Sequence, residues 1–362
     1  MRSVLDKGVR LWNDAPVAAL IRKDGRVTGA VIQTATGEKT VMARHGVVLA
    51  AGGFPHDYKR HAEHFDHAPK GVGHHSAAPP ENTGDGLTLA EGVNGALDFE
   101  LENSGAWAPV SLVPDGKGGH KRFPHLIERA KPGIIAVDAT GKRFVNEADS
   151  YHDFMSALLR TAPAGETPRS WLIADHRAQR RFGLGFSKPF PFPLSPYLRS
   201  GYLKRGRTLD DLAAECGLPS AQLKATVERF NAQARKGDDP DFDRGKSAYN
   251  RVQGVADHRP NPSLAPLENG PFYAVELVPG SLGTFAGIKT SPKGEVLDTS
   301  GAPIAGLYAC GNDAASIMGG NYPSGGITIG PAMTFGYVIG RSLAGLPVAG
   351  LDTDIQQTGQ SR

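Results

Sequence analysis

The first fifty residues alternate apolar and polar positions in the way that predicts a β-meander. Two runs rich in β-branched residues, 17–22 and 26–34, flank a turn at residues 23–25, and a third strand is predicted to begin near Glu38. Strands joined by such short turns pair in antiparallel fashion. We therefore expect a small antiparallel sheet at the start of the chain.

Residues 45–54 form an apolar run that ends in Gly52 and Gly53. Unbroken apolarity is typical of a parallel strand that is buried on both faces. Open α/β sheets bind ligands at the carboxyl ends of such strands, and glycine lets a ligand approach the backbone closely. The sequence therefore predicts a ligand site beside these two glycines.

The pattern changes between about residues 106 and 270, where proline and charged residues become denser. One helix is predicted to start after Thr208, which is close to forming a capping box with Asp211. A second helix is predicted with Pro219-Ser220 as its cap. Its inward positions recur at helical spacing in Leu223, Val227, Phe230 and Asn231. We interpret this stretch as an inserted domain.

Strand patterns return after residue 270, with predicted strands at 272–277 and 306–310 and a hairpin over 288–297. The last element is a predicted helix over about residues 328–344. It rests on apolar residues that recur every three to four positions: Ile329, Met333, Tyr337, Val338 and Leu343.

Composition excludes several classes of protein. The 362 residues include 46 glycines and 27 prolines without a fixed period, which is typical of an enzyme with many loops and not of a fibrous protein. The formal net charge is +3, and the short basic run 204–207 is followed by Asp210 and Asp211. We therefore expect no nucleic-acid partner.

Hydropathy and cysteine content bear on location. No apolar run approaches the ~20 residues of a spanning helix, and charged residues interrupt the first twenty positions, so we expect no membrane span and no signal peptide. Cys216 and Cys310 lie far apart in the sequence, which is compatible with a reducing compartment. We interpret the protein as cytoplasmic.

Residues 306–331 form the strongest candidate site. An apolar strand leads through a glycine-rich loop into the predicted start of a helix near Thr328. Free N–H groups at a helix start suit an anionic or carbonyl oxygen, and residues without Cβ let a planar ring system lie against the backbone. The block thus predicts a site for a planar ligand.

Two other residue types invite a functional interpretation and do not support one. His61, His64 and His67 imitate a metal site, but positions three apart drift off one helical face, and no Cys or acidic pattern accompanies them. We therefore expect no metal. Cys310 follows a predicted buried strand and is interpreted as packing.

Four motifs occur in the order seen in FAD-dependent oxidoreductases of the fumarate reductase/succinate dehydrogenase flavoprotein superfamily: LAAGGF at 49–54, TGDG at 83–86, KRFVNE at 142–147 and the block at 306–340. Within that superfamily, Tyr322-Pro323, Gly325-Gly326 and TIGPAMTFGY at 328–337 most resemble the 3-ketosteroid dehydrogenases. The resemblance covers nearly the whole chain.

The resemblance implies an α/β (α+β) fold in which an inserted α+β substrate-capping domain splits a Rossmann-like FAD-binding domain. The implied division is 1–105 and 279–350 for FAD binding, 106–278 for the cap and 351–362 for a flexible tail. Whole members of the family begin with a βαβ unit that carries a GxGxxG motif. That motif is missing from this sequence. The resemblance therefore implies an incomplete FAD-binding domain and an N-terminally truncated chain.

The resemblance also implies a cofactor, FAD, and the residues that would contact it. They lie on the first strand, in the glycine loops and at the start of the last helix: Val17, Ala51, Gly52, Gly53, Asp85, Gly311, Asn312, Asp313, Gly325, Ile327 and Thr328.

The implied activity is 1,2-dehydrogenation of a 3-ketosteroid-like cyclic ketone, with electrons passed on to an external acceptor. Tyr151 would accept the proton next to the ketone, and FAD N5 would accept the hydride. The Tyr322 hydroxyl and the Gly326 N–H would hold the ketone oxygen. Without the resemblance, the sequence favours a structural role for Tyr151, as a partly buried tyrosine that packs a helix.

Two alternatives remain. A fumarate-reductase-type enzyme is disfavoured, because matching the loops puts Gly283 and Tyr322 where those enzymes use His and Arg to bind a dicarboxylate. A non-catalytic or split flavoprotein fragment is compatible with the missing GxGxxG motif.

Overall fold

The computed structural model describes residues 2–351 except 164 and 349. The predicted flexible tail, 351–362, lies outside the described residues from 352 onward.

The helices of the described chain are α1 (Arg2–Leu5), α2 (Tyr58–His64), α3 (Asp85–Glu91), α4 (Tyr151–Leu159), α5 (His176–Phe182), α6 (Ser195–Arg199), α7 (Leu209–Cys216), α8 (Ser220–Ala234), α9 (Ala248–Gln253) and α10 (Ile329–Leu343). The strands are β1 (Val17–Lys23), β2 (Arg26–Thr34), β3 (Gly37–Met42), β4 (Val47–Leu49), β5 (His75–Ser76), β6 (Leu97–Asp98), β7 (Gly105–Trp107), β8 (Val110–Pro114), β9 (His120–Pro124), β10 (Ile134–Asp138), β11 (Ser170–Ala174), β12 (Lys204–Gly206), β13 (Phe272–Leu277), β14 (Gly280–Thr284), β15 (Gly287–Ile288), β16 (Glu295–Leu297) and β17 (Pro303–Ala309). Short 3₁₀ helices cover Glu128–Ala130 and Gly311–Asp313.

The predicted N-terminal meander is confirmed. Strands β1, β2 and β3 form a three-stranded antiparallel sheet in sequence order. The tight turn between the first two strands has Asp24 and Gly25 in the left-handed region, with φ of 50° and 80°. That conformation suits the twist of a hairpin.

Strand β4 pairs in parallel with β17, as the apolar run at 45–54 predicted. This pairing brings residues from the first and last parts of the chain together in the sheet β16-β17-β4. The prediction of burial on both faces is wrong. Leu49 is buried, but Val48, whose side chain points to the opposite face of the strand, is 39% exposed, so that face of β4 is not covered among the described residues.

A four-stranded antiparallel sheet, β10-β11-β13-β12, is built from residues between 134 and 277. Helices α7 and α8 cover one face of it, with Leu212, Leu223 and Phe230 in a shared buried cluster. The capping box of Thr208 with Asp211 is confirmed. The start of α8 at Pro219-Ser220 is also confirmed, with Pro219 as the N-cap, and the Ser220 hydroxyl donates to Asp210 instead of capping the helix. The proposed division at residues 106 and 278 stays a prediction.

The final helix is confirmed as α10, but most of its apolar repeat is not in the core. Ile329, Met333 and Tyr337 are 63%, 70% and 62% exposed, whereas Val338 and Ile339 are buried. The helical period therefore predicted the element correctly and its burial only in part.

The fold is a mixture of helices and mainly antiparallel sheets, in agreement with the α+β prediction. Within the described residues, no helix combines the length and the hydropathy needed to cross a bilayer.

Candidate active site

Asp313 joins the two glycine loops that the sequence singled out. Its side-chain oxygens accept the backbone N–H groups of Ala51, at 2.6 Å, and Gly53, at 2.8 Å. The side chain is fully buried. Burial raises the pKa of the Asp313 carboxyl, although the two N–H groups act in the opposite direction. Asp313 thus fixes the end of β4 against the loop that follows β17.

Gly52 and Gly53 are required at this junction. Both lie in the left-handed region, with φ of 94° and 75°. A Cβ atom on Gly53 would lie 2.2 Å from the Thr284 hydroxyl and 2.6 Å from the Asn312 carbonyl oxygen. A side chain at Gly53 would have to displace the Asn312 backbone, and one at Gly52 would meet the Asn82 side chain, so both positions favour glycine. The predicted glycine-lined edge at the end of β4 is therefore present.

The glycine-rich loop before α10 forms the other side of the site. Gly311, Asn312, Ile327 and Thr328 line one small cavity of about 30 Å³. That volume is too small for a flavin ring, because ligand pockets span about 300–1,000 Å³.

The space next to this cavity is open. A Cβ atom on Gly325 or Gly326 would meet nothing within 4 Å, and no side chain caps the start of α10 at Thr328. An open glycine face beside an uncapped helix start fits the ring end of a flavin.

Two of the expected cofactor residues lie outside this cluster. Asp85 is the exposed first residue of α3, and its side chain accepts from the Thr83 hydroxyl at 2.9 Å. Its charge contributes to the raised pKa of Asp313. Val17 begins β1, in a separate sheet, and is 38% exposed.

The two expected catalytic tyrosines lie together. Tyr151 is the first residue of α4, after the N-cap Ser150, and Tyr322 is on the loop before α10. Their ring centroids are 4.7 Å apart in an edge-to-face arrangement, and both side chains are buried. Gly326, four residues beyond Tyr322, is exposed and has φ of 100°. The structure thus brings together side chains that are 171 positions apart in the sequence.

The surroundings of the tyrosine pair are mostly apolar. Burial, followed by a hydrogen bond with Tyr322, raises the pKa of Tyr151, and the Arg129 guanidinium acts weakly in the opposite direction. The neighbours packed around the pair are Ala106, Ala108, Phe285, Leu101, Leu126, Leu282 and Ile327. Such a lining suits a neutral apolar ligand better than a dianion.

A buried ion network fixes the segment before Tyr151. Glu147 accepts from Arg143 at 2.7 Å and from Arg244 at 2.9 Å, and Asp239 is the second carboxylate of Arg143. The arginine charges lower the pKa of Glu147 to about 2, against its desolvation. The fully buried Arg129 donates to the carbonyl oxygens of Glu147 and Asp149.

The sequence did not point to His152 and Phe285, which lie beside the tyrosine pair. The His152 ring lies 6.1 Å from Tyr322 and 5.6 Å from Phe285. One signal was available, since His152 directly follows Tyr151 at the start of a predicted helix.

Aromatic side chains surround two of the three histidines that imitate a metal site. His61 and His67 are buried in an aromatic cluster with Phe65, His74 and Trp107. Nowhere in the described ranges do three or more His, Cys, Asp or Glu side chains gather in a way that could hold a metal ion. Cys310 and Cys216 are buried free thiols, and burial raises the pKa of each.

Comparison with known proteins places this geometry in context. The chain is 42% identical over 353 residues to 4-oxocyclohex-2-ene-1-carboxylate 5-dehydrogenase of Sinomonas cyclohexanicum, covering 96% of this chain and 59% of that protein. It is 39% identical over 355 residues to 3-oxosteroid 1-dehydrogenase of Mycolicibacterium smegmatis, covering 95% of this chain and 61% of that protein.

A crystal structure shows the same fold. The 3-ketosteroid delta1-dehydrogenase from Sterolibacterium denitrificans, in complex with 1,4-androstadiene-3,17-dione, superposes with a TM-score of 0.86 at 35% identity. The match covers 95% of this chain and 61% of that one. The chain spans about three fifths of the length of the relatives it matches.

The family model described as "FAD binding domain" matches residues 1–329, which is most of the chain. This match confirms FAD as the cofactor of the family, as the resemblance implied. The chain belongs to the FAD-binding domain family of flavoproteins.

Proposed function

We propose that this protein takes part in the FAD-dependent desaturation of a cyclic ketone of the 3-ketosteroid type. The observation that carries the proposal is the buried, edge-to-face pair of Tyr151 and Tyr322 next to an open glycine face. The names of the relatives, which are dehydrogenases of cyclic ketones and 3-oxosteroids, support the same class of substrate.

Each residue of the pair has a separate task in the proposal. The Tyr322 hydroxyl and the Gly326 N–H donate to the ketone oxygen, where negative charge develops as the neighbouring carbon loses its proton. Tyr151 accepts that proton at its phenolic oxygen. Bound FAD would supply the acceptor for the hydride that leaves the next carbon. An external acceptor then takes the electrons.

The cofactor would be held by the residues around Asp313. Ala51, Gly52 and Gly53 follow the end of β4, where Asp313 holds the Ala51 and Gly53 N–H groups, and Gly311 and Asn312 line the adjoining cavity. Gly325, Ile327 and Thr328 lead into the start of α10. Asp85 and Val17 remain candidates for contacts with the rest of FAD.

The raised pKa of Tyr151 sets the expected pH dependence. A base works only when it is deprotonated, and burial keeps Tyr151 protonated well above pH 7. We expect kcat/KM for ketone oxidation to rise roughly tenfold per pH unit from 7 to 10. A rate that is independent of pH over this range would contradict the assignment of Tyr151 as the base.

The test of the proposal is ketone-dependent reduction of a dye by the protein supplied with FAD. Tyr151→Phe removes the base and should lower the rate by about 10²–10⁴-fold. Tyr322→Phe removes one donor and should lower it by about 10²–10³-fold. The control is Tyr58→Phe, an exposed tyrosine on α2, which should leave the rate unchanged. Full activity in both site variants would refute the proposal.

A second candidate is a flavoprotein part that completes its cofactor site only together with further polypeptide. The exposure of Ile329, Met333 and Tyr337 on α10, beside the glycine face, favours it. The visible spectrum of the purified chain separates the two candidates. Flavin retained at about one per chain would contradict the second one.

A further inference from the structure

The loop that carries Tyr322 is anchored two residues earlier, at Gly320. The Gly320 carbonyl oxygen accepts from the Asn103 side-chain amide at 3.0 Å. Gly320 has φ of 83°, and a Cβ atom there would lie 2.7 Å from the Asn103 backbone nitrogen. The loop and the segment around Asn103 are therefore in direct contact, and only glycine fits between them.

Asn103 is in turn connected to the helix that carries Tyr151. Its amide oxygen accepts the Trp107 indole N–H at 2.9 Å, and the Trp107 backbone N–H donates to His152 Nδ1 at 3.2 Å. His152 is the residue after Tyr151 on α4. The path from Tyr151 through His152, Trp107, Asn103 and Gly320 thus ends beside Tyr322.

The chemistry of these groups determines which of them donate and which accept the hydrogen bonds of the path. Because Nδ1 of His152 accepts a hydrogen bond, the ring proton of the neutral imidazole lies on Nε2. Burial lowers the pKa of His152 to about 4, although Asp153, Glu102 and the Gly320 carbonyl act in the opposite direction. The imidazole is therefore neutral and in one tautomer at ordinary pH. Asn103 can serve both neighbours because its amide has a donor and an acceptor.

We propose that Asn103 is a positioning residue that, through Trp107 and His152, sets the placement of Tyr322 relative to Tyr151. The inference rests on the proposed function for its catalytic consequence, since neither Asn103 nor Trp107 is assigned to the reacting atoms. A misplacement of about 1 Å in such a site costs about 10²-fold in rate.

The first experiment is independent of activity. Hydrogen exchange of the backbone amides of residues 318–322 is measured by mass spectrometry in the wild type, Asn103→Ala and Asn103→Asp. Both variants lose the donor to Gly320, whereas Asn103→Asp keeps an acceptor for Trp107. We expect exchange of this segment to be about fivefold faster in both, the ratio that the loss of one hydrogen bond gives. Unchanged exchange in both variants would overturn the proposal, whatever the activity of the protein.

The second experiment measures catalysis with the same variants. We expect kcat to fall by about 10–100-fold with a much smaller change in KM. The matched control is Glu100→Ala, an exposed residue three positions away, which should change neither exchange nor kcat. If the wild type is active and the Asn103 variants are equally active, the positioning role is contradicted and the proposed function is not. An inactive wild type contradicts the proposed function, and the exchange result still decides the positioning role.

A pair of His152 variants covers the case in which the Asn103 variants fold poorly. His152→Gln offers an amide oxygen to the Trp107 backbone N–H, whereas His152→Phe offers no acceptor. The path is supported if His152→Gln retains activity and slow exchange of residues 318–322 and His152→Phe loses both. Equal behaviour of the two variants overturns it.

Discussion

Helices α8 and α10 have the same length, 15 residues, and opposite surroundings. The sequence of α8 is rich in polar residues, yet it buries Leu223, Val227 and Phe230 against the antiparallel sheet of residues 134–277. The sequence of α10 is more apolar, yet among its apolar side chains only Val338 and Ile339 are buried.

The difference shows that burial follows from what lies opposite a helix and not from its hydropathy. The central part of the chain, between 134 and 277, supplies its own sheet, helices and ion network. The flanking part supplies β4, an edge strand, and α10, whose apolar face remains open among the described residues. The tyrosine pair lies where the two parts meet, with Tyr151 on one and Tyr322 on the other.

Truncation of one aromatic side chain on each helix should give the largest difference in the free energy of unfolding between the two regions. Phe230 is 1% exposed and Tyr337 is 62% exposed. We expect Phe230→Ala to lower the free energy of unfolding by about 3–5 kcal/mol and Tyr337→Ala by less than about 0.5 kcal/mol. Urea unfolding measures both. Similar losses in the two variants would show that the outer face of α10 is packed.

A substitution in the buried ion network should lower the free energy of unfolding nearly as much. Glu147→Gln leaves Arg143 and Arg244 buried without their shared carboxylate, and we expect a loss of about 3 kcal/mol in the free energy of unfolding. The control is Asp210→Asn, which breaks the exposed pair with Lys224 and should cost far less, because solvent screens an exposed ion pair. Equal losses would mean that the network contributes no more than a surface ion pair.

Acidification should lower the free energy of unfolding by a smaller amount, through buried histidines of the flanking part. Burial lowers the pKa values of His61 and His67 to about 4, so below pH 6.5 the unfolded chain binds more protons than the folded one. The stability associated with the two neutral histidines is fully present above pH 6.5 and is lost as the pH falls towards 4. We expect a loss of up to about 2 kcal/mol for each histidine between pH 7.5 and 5.

The Glu147 contribution behaves differently in acid. Its pKa is lowered to about 2, so its contribution persists until the pH falls from about 4.5 through 2. Urea unfolding at pH 7.5 and pH 5 checks the histidine prediction, with His61→Phe as the variant that should show a weaker pH dependence. Equal stability of the wild type at both pH values would contradict it.

The sequence predicted the elements whose causes are local. The meander follows from alternation and a tight turn, and α7 follows from the capping box of Thr208 with Asp211. Gly52 and Gly53 were identified because a strand ended in two glycines. The tyrosine pair was identified through the family resemblance and not through any local pattern.

The remainder depends on contacts between distant residues. Asp313 bonds Ala51 and Gly53 across 262 and 260 positions, and no local rule connects them. Asn103 reaches Gly320 across 217 positions. The exposure of α10 could not be predicted either, because its apolar period is the same whether or not another element covers it.

The central claim is that Tyr151 and Tyr322 act on the same cyclic ketone. The most direct measurement is the mass of a 3-ketosteroid after incubation with the protein, FAD and a dye acceptor. We expect the wild type to form a product that has lost two hydrogens, and Tyr151→Phe to form much less of it. An unchanged ketone with flavin bound to the wild-type protein, or equal product from Tyr151→Phe, would contradict it.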